Sequence, residues 1–176
     1  GTLGIFTKIS VRLIPLPQKI LTVLAYYNDV ESAIDTADTV IAQNIFPRTL
    51  ELMDETSIKA VKDYGDLKIP DKAKALLIID VDGHEASVKE ELLIVEEACR
   101  KNNAIELMKA NTSAERESLW AVRRSISPAL YKIAPIKMNE DICVPRTQIK
   151  GILDKVKKSL EGSPIFMACF GHIGDG

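Results

Sequence analysis

The sequence predicts a fold of mixed α and β structure built on a sheet, and three observations carry that expectation. Apolar runs of strand length alternate with segments whose apolar residues recur every three and four positions. Strand–helix–strand triplets with modest connections follow one another along the chain. The composition also supports a core: of 176 residues, 46% are hydrophobic and 27% charged, and a chain of this length buries roughly two-thirds of its surface on folding. Two architectures fit the same element order. One is a parallel doubly wound sheet; the other is a pair of ferredoxin-like halves sharing an antiparallel sheet. No Gly-rich phosphate loop follows the first long strand, which weakens the parallel choice, and the pattern by itself leaves the two level.

Each element has a local reason. Residues 5–13 alternate in part and are β-branched, which predicts a strand broken by Pro15 and Pro17. Residues 19–27 form an apolar run bounded by Asn28-Asp29 and read as a buried strand. From 30 to 43, Val30, Ala33, Ile34, Ala37, Val40 and Ile41 make one helix face, with Asp29 as N-cap. Pro47 opens a strand over 48–53, and helical spacing over 55–64 is closed by Gly65. Residues 75–81 read as the central strand, followed by an Asp82-Gly83 turn. A helix over 87–102 uses Val88, Leu92, Val95, Glu96 and Cys99, and 105–109 is a short strand. Residues 113–133 predict a long helix that Pro128 kinks or terminates. A strand over 138–144, a helix over 147–160 stopped by Gly162 and Pro164, and a strand over 165–170 complete the order.

Composition excludes several function classes. The 23 Lys and Arg against 25 Asp and Glu leave a formal net charge of -2, without the basic excess of a nucleic-acid surface. The longest apolar run, 20–27, is far short of the ~20 residues that span a bilayer. The start lacks a basic segment followed by an apolar block, so a cytoplasmic location is expected. The three cysteines, Cys99, Cys143 and Cys169, are widely spaced and suit free thiols rather than a disulfide framework or zinc knuckle.

The long helix is the most informative segment. Trp120, Arg123 and Ser127 lie at i, i+3 and i+7 and share a face. A guanidinium fork and a hydroxyl four residues apart suit a carboxylate. Lys137 opens a polar cluster through Asp141 and would add a second cation if that strand faces a ligand. At the far end, Gly171-His172-Ile173-Gly174-Asp175-Gly176 follows an apolar strand. Glycines there let a ligand approach the backbone, and His172 has the chemistry of a metal ligand, although one His cannot hold a metal alone.

Taken together, these segments resemble FAD-linked oxidases of the vanillyl-alcohol-oxidase type, and among them glycolate oxidase flavoprotein subunits and D-lactate dehydrogenases. Gly1-Thr2-Leu3-Gly4-Ile5-Phe6-Thr7 with Leu13-Ile14-Pro15 is similar to the end of that family's flavin domain. Leu119-Trp120-Ala121-Val122-Arg123-Arg124 is similar to its substrate helix, and Glu140-Asp141-Ile142-Cys143-Val144-Pro145 to the strand after it. The glycine-rich ending resembles a motif that continues Asn-Leu-His. The resemblance selects the α+β architecture: duplicated ferredoxin-like halves sharing an antiparallel sheet, with helices on one face.

The resemblance implies more. Residues 1–17 would be the end of the FAD-binding domain and linker, and 18–176 the C-terminal substrate domain, cut at its C-terminus. Backbone atoms of Gly1, Thr2, Gly4 and Ile5 would meet FAD. Arg123, Ser127 (in place of a Thr) and Lys137 would bind the substrate carboxylate. His172 would ligate a divalent metal such as Zn, with its partner ligands beyond Gly176. The reaction implied is oxidation of a 2-hydroxy acid, of glycolate or D-lactate type, to the 2-oxo acid with hydride transfer to flavin. The acceptor stays open between oxygen, a quinone and an iron–sulfur partner subunit, with a position peripheral to a membrane for the whole complex. The fragment alone would be inert, and its cut edges favour self-association. The reading from another class is a non-catalytic ferredoxin-like domain that binds a small molecule or regulates.

Overall fold

The structure, a computed structural model, describes residues 3–64 and 69–175. The elements run β1 (Lys19–Tyr27), α1 (Val30–Ala42), β2 (Thr49–Asp54), α2 (Glu55–Tyr64), β3 (Ala75–Gly83), α3 (Glu85–Lys101), β4 (Glu106–Ala110), α4 (Ser113–Ile133), a one-turn 3-10 segment, α5 (Ile149–Ser159) and β5 (Phe170–His172). Among the described residues they form one five-stranded sheet in the order β4-β1-β3-β2-β5. Its strand pairs are all antiparallel. This selects the α+β class and removes the parallel alternative.

The first four strands have the order of a split β-α-β unit of ferredoxin-like type, 4-1-3-2, with α2 inserted between β2 and β3 in the chain. The described residues complete one such unit. β5 then extends the sheet at the β2 edge, so the expected duplication is present as one half plus an added strand.

The helices lie on both faces, which corrects the expectation of one. The odd-numbered residues of β1, Leu21 to Tyr27, pack with α1 and α3, and Leu50, Leu52, Leu77 and Ile79 join them. Leu24, Tyr26, Met53, Leu76 and Ile78 face α2 and α4. The physical reason is in the strands: β1 is buried at seven successive positions and β3 likewise. A strand with one wet face would alternate.

Local signals explain the helix boundaries. Asp29 caps α1 by accepting the Ser32 N–H at 2.7 Å. At the head of α4, Thr112 and Glu115 form a reciprocal capping box. α1 and α3 are each followed by an asparagine in the left-handed region, Asn44 and Asn103, that lets the chain turn back. α4 continues through Pro128 to Ile133, so the proline does not end it. Gly65, expected to close α2, lies outside the described residues.

Two expected strands are not formed. Residues 5–13 form no strand, and Ile5, Phe6, Ile9, Val11 and Leu13 are exposed. Residues 138–144 are likewise irregular, with Met138 and Ile142 exposed. A strand is a property of a pair, and neither segment pairs with another strand among the described residues. The last strand is shifted: 165–169 are irregular, and pairing begins at Phe170, opposite Met53. The Asp82-Gly83 turn is instead the end of β3, opposite Lys19 and Ile20.

Candidate functional site

α4 crosses the sheet with a polar stripe turned toward it. Arg116 and Trp120 reach Asp80 of β3, Arg123 reaches Glu51 of β2, and Ser127 accepts from Lys137. The shared face expected for Trp120, Arg123 and Ser127 is therefore real, but its two ends differ. The Asp80 end is closed. Asp80 is fully buried and accepts from Thr22 Oγ1 at 2.6 Å, Arg116 Nε at 3.1 Å and Trp120 Nε1 at 3.3 Å, with a further short bond from Arg116 Nη2.

The other end opens. Arg123 Nε donates to Glu51 Oε2 at 2.7 Å, and its guanidinium carbon stands 4.8 Å from the centre of the Phe170 ring. Lys137 Nζ donates to Ser127 Oγ at 2.8 Å and lies 6.0 Å from the same ring and 5.2 Å from Tyr131. Phe170 is thus a shared aromatic floor for two cations. Ser127, Lys137, Phe170 and His172 line a groove of about 830 Å³ whose opposite wall is the apolar side of α5 (Ile152, Leu153, Val156). The structure brings Arg123, Ser127, Lys137 and His172 to one place, from α4, the segment after it and β5.

β5 positions the rest through its register. Glu51 pairs directly with His172, and Met53 with Phe170, so Phe170 and His172 project to the same face as Glu51. His172 Nδ1 accepts the Leu50 N–H at 3.3 Å and lies 3.7 Å from Glu51 Oε1; Nε2 lies 3.6 Å from Asp175. Gly174 has a close-approach role here. A Cβ at that position would stand 2.7 Å from His172 Nε2, so a side chain would push the ring out of place.

The implied metal is tested by this donor set. With Nδ1 accepting a backbone N–H, the neutral imidazole carries its proton on Nε2, whereas a metal-bound His normally donates through one nitrogen and ligates through the other. Among the described residues no group of three His, Cys, Asp or Glu side chains is arranged to hold a metal. The residues present therefore do not by themselves complete a metal centre. The flavin contacts fare similarly. Gly1 and Thr2 lie outside the described residues, Gly4 and Ile5 are exposed, and a Cβ on Gly4 would meet nothing within 4 Å. The described residues form no cradle for a flavin.

Glu51 is the site residue that the sequence reading missed. Its signal was a single acid inside the apolar run Thr49-Leu50-Glu51-Leu52-Met53. A carboxylate in such a strand must find a partner or open onto water.

A single antiparallel sheet of ferredoxin-like order, with an arginine, an imidazole and an aromatic floor gathered at one edge, defines an α+β domain rather than a parallel nucleotide-binding fold. The chain belongs to the family described as FAD linked oxidases, C-terminal domain, which matches residues 16–176. It is 35% identical over its whole length to "Glycolate oxidase subunit GlcD" of Bacillus subtilis (strain 168) and 33% identical to the Escherichia coli (strain K12) protein of that name. It is 29% identical to "D-lactate dehydrogenase [cytochrome], mitochondrial" of Arabidopsis thaliana. The chain spans 37%, 35% and 31% of those three relatives, about a third of their length. A solved structure of alkyldihydroxyacetonephosphate synthase matches 88% of the chain with a TM-score of 0.63 at 16% identity, which supports the fold alone. Among the described residues no helix is long and apolar enough to cross a membrane.

Proposed function

We propose that this chain is the substrate-side domain of an FAD-linked oxidase that converts a small 2-hydroxy acid, of glycolate or D-lactate type, to the 2-oxo acid. In this reading residues 1–17 end the flavin-binding part and 18–176 form the substrate domain. The reading is supported by relatives named as glycolate oxidase subunits and D-lactate dehydrogenases. One observation carries it from this chain's own residues: two cations, Arg123 and Lys137, share the Phe170 ring, and Lys137, that ring and the Ser127 hydroxyl line a groove.

Arg123 offers its terminal nitrogens to the substrate carboxylate, because Nε is already occupied by Glu51. Lys137 and Ser127 add a donor pair to the same anion. Charge-assisted bonds of this kind contribute about 1.5–3 kcal/mol each. The ring of Phe170 excludes water beneath them. His172, on the next register pair of the same face, stands where it can meet the hydroxyl end of a small acid. Hydride acceptance is the chemistry of the FAD of the whole enzyme; this chain supplies binding and orientation. The glycolate oxidase relatives are named as subunits, and a partner subunit as electron acceptor belongs to the same proposal.

The test is Arg123→Met in the full-length protein. Its kcat/KM for glycolate or D-lactate should fall roughly 10–100-fold, mostly through KM, with the flavin spectrum unchanged. Wild-type kinetics in that variant would remove Arg123 from the site and take the reading with it.

A further inference from the structure

We propose that Glu51 is the positioning residue of this carboxylate site: it holds the Arg123 guanidinium on the Phe170 ring with its two terminal nitrogens kept for the substrate. The inference rests on the reading that Arg123 receives a carboxylate. It adds what orients the guanidinium and why an acid stands in the middle of β2.

The sheet makes Glu51 costly unless it has such a task. Leu50 and Leu52 face α1 and α3, while Glu51 points at α4, with its side chain only 13% exposed. A Val or Thr would build that strand position without desolvating a charge. The carboxylate bonds through one oxygen. Oε2 accepts from Arg123 Nε at 2.7 Å, and Oε1 lies 3.7 Å from His172 Nδ1, across the directly paired register position. The acid therefore stands between the arginine and the imidazole.

The geometry of the pair is informative. A carboxylate that took the guanidinium by its terminal fork would leave no pair of N–H groups for a ligand. Glu51 takes it by Nε, from the side. The terminal nitrogens donate to no other group among the described residues. A bond on the Nε edge and an aromatic ring under the face, at 4.8 Å, together fix the plane and rotation of the guanidinium. What remains is a fork of fixed direction. Arg116, seven residues earlier on the same helix, shows the contrast. Both its Nε and Nη2 are spent on Asp80, and that carboxylate is fully enclosed. One arginine of α4 is consumed by the sheet; the other is held by it.

The experiment is a double-mutant cycle in the full-length enzyme, with Glu51→Gln, Arg123→Met and both together. Flavin absorbance and thermal unfolding report integrity. Glu51→Gln keeps the shape and removes the charge, and should raise KM for glycolate or D-lactate about tenfold with kcat changed by less than about threefold. The double variant should have a KM within about twofold of Arg123→Met alone, because Glu51 acts through Arg123. Effects that multiply in the double variant would mean that Glu51 acts independently, and would overturn the inference. So would wild-type kinetics in Glu51→Gln while Arg123→Met is impaired; in that case the carboxylate reading stands. Wild-type kinetics in Arg123→Met would sink the reading itself. If Glu51→Gln loses its flavin, the cycle is run with Glu51→Asp, which keeps the charge but shortens the reach. Its KM should lie between wild type and Arg123→Met, with the same non-additivity, and a multiplicative result there overturns the inference equally.

Discussion

Replacing Arg116 by Met should destabilise the chain more than any other single change to a surface-reaching cation. Asp80 is fully buried in the centre of the sheet, and two of its four hydrogen bonds come from Arg116. Thr22 and Trp120 supply the other two, both neutral donors. Met keeps much of the apolar stem of Arg, so the change isolates the charge. Removing one partner of a buried pair costs about 3–5 kcal/mol, because the other charge stays behind without compensation. The side chain of Arg116 is 26% exposed, so water weakens the pair, and about 2–3 kcal/mol is the better figure. For a chain of this size that is a fall in Tm of roughly 5–10 °C. Urea unfolding followed by circular dichroism near neutral pH, at low and at high salt, measures it. The loss should be nearly salt-independent. Lys59→Met, which breaks an exposed pair with Glu55, is the control and should cost less than about 0.5 kcal/mol. The double change Asp80→Leu with Arg116→Met should recover most of the loss, since no charge is then stranded. An Arg116→Met cost no larger than the Lys59→Met cost would refute the reasoning.

Two further outcomes follow from buried titratable groups. Burial pushes the Asp54 carboxyl above the ordinary carboxylate range, against the opposing hydrogen bond from the Ser57 N–H. The folded state then holds that proton more tightly than the unfolded chain, so stability falls as pH rises from the ordinary carboxylate value through the raised folded one. Asp54→Asn keeps the acceptor for Ser57 and removes the titration. Its stability relative to wild type should therefore climb as pH rises from the ordinary carboxylate value through the raised folded one, and then level off; a flat difference would count against it. Burial also pushes the thiols of Cys99 and Cys169 up to about 11, while Cys143 is exposed. With an aromatic disulfide reagent at about pH 8, Cys143 should react first and Cys99 only on unfolding; three equal rates would contradict the burial.

Much of the fold was legible because its signals are local. Asp29 marks the start of α1, and the expected bounds of α4, 113–133, are those observed. Residues 5–13 and 138–144 misled because alternation describes one strand, while pairing needs a second. The division of helices between two faces was readable in the unbroken apolar run of β1, which a sheet covered on one side would not tolerate. At the site, Arg123 and Ser127 could be grouped by helical spacing and Lys137 joined them conditionally as a second cation, but His172 was tied to them only by resemblance. Glu51 and Asp80 escaped notice for one reason. A lone acid in an apolar strand states that a partner exists without naming it, and both partners sit on α4, which comes later in the chain than β2 and β3.

β5 has three residues and, among the described residues, pairs only with β2. Two of those three residues are Phe170 and His172. The site is therefore assembled from parts of unequal permanence. Arg123 and Glu51 stand on elements that open only when much of the core does, while the ring and imidazole ride on a short ladder that opens and closes by local fluctuation. Part of the free energy of any ligand gripped between them goes into holding that ladder shut. Hydrogen exchange at the edge would slow in proportion to the ligand's occupancy, which makes the edge a reporter of binding as well as a wall of the groove.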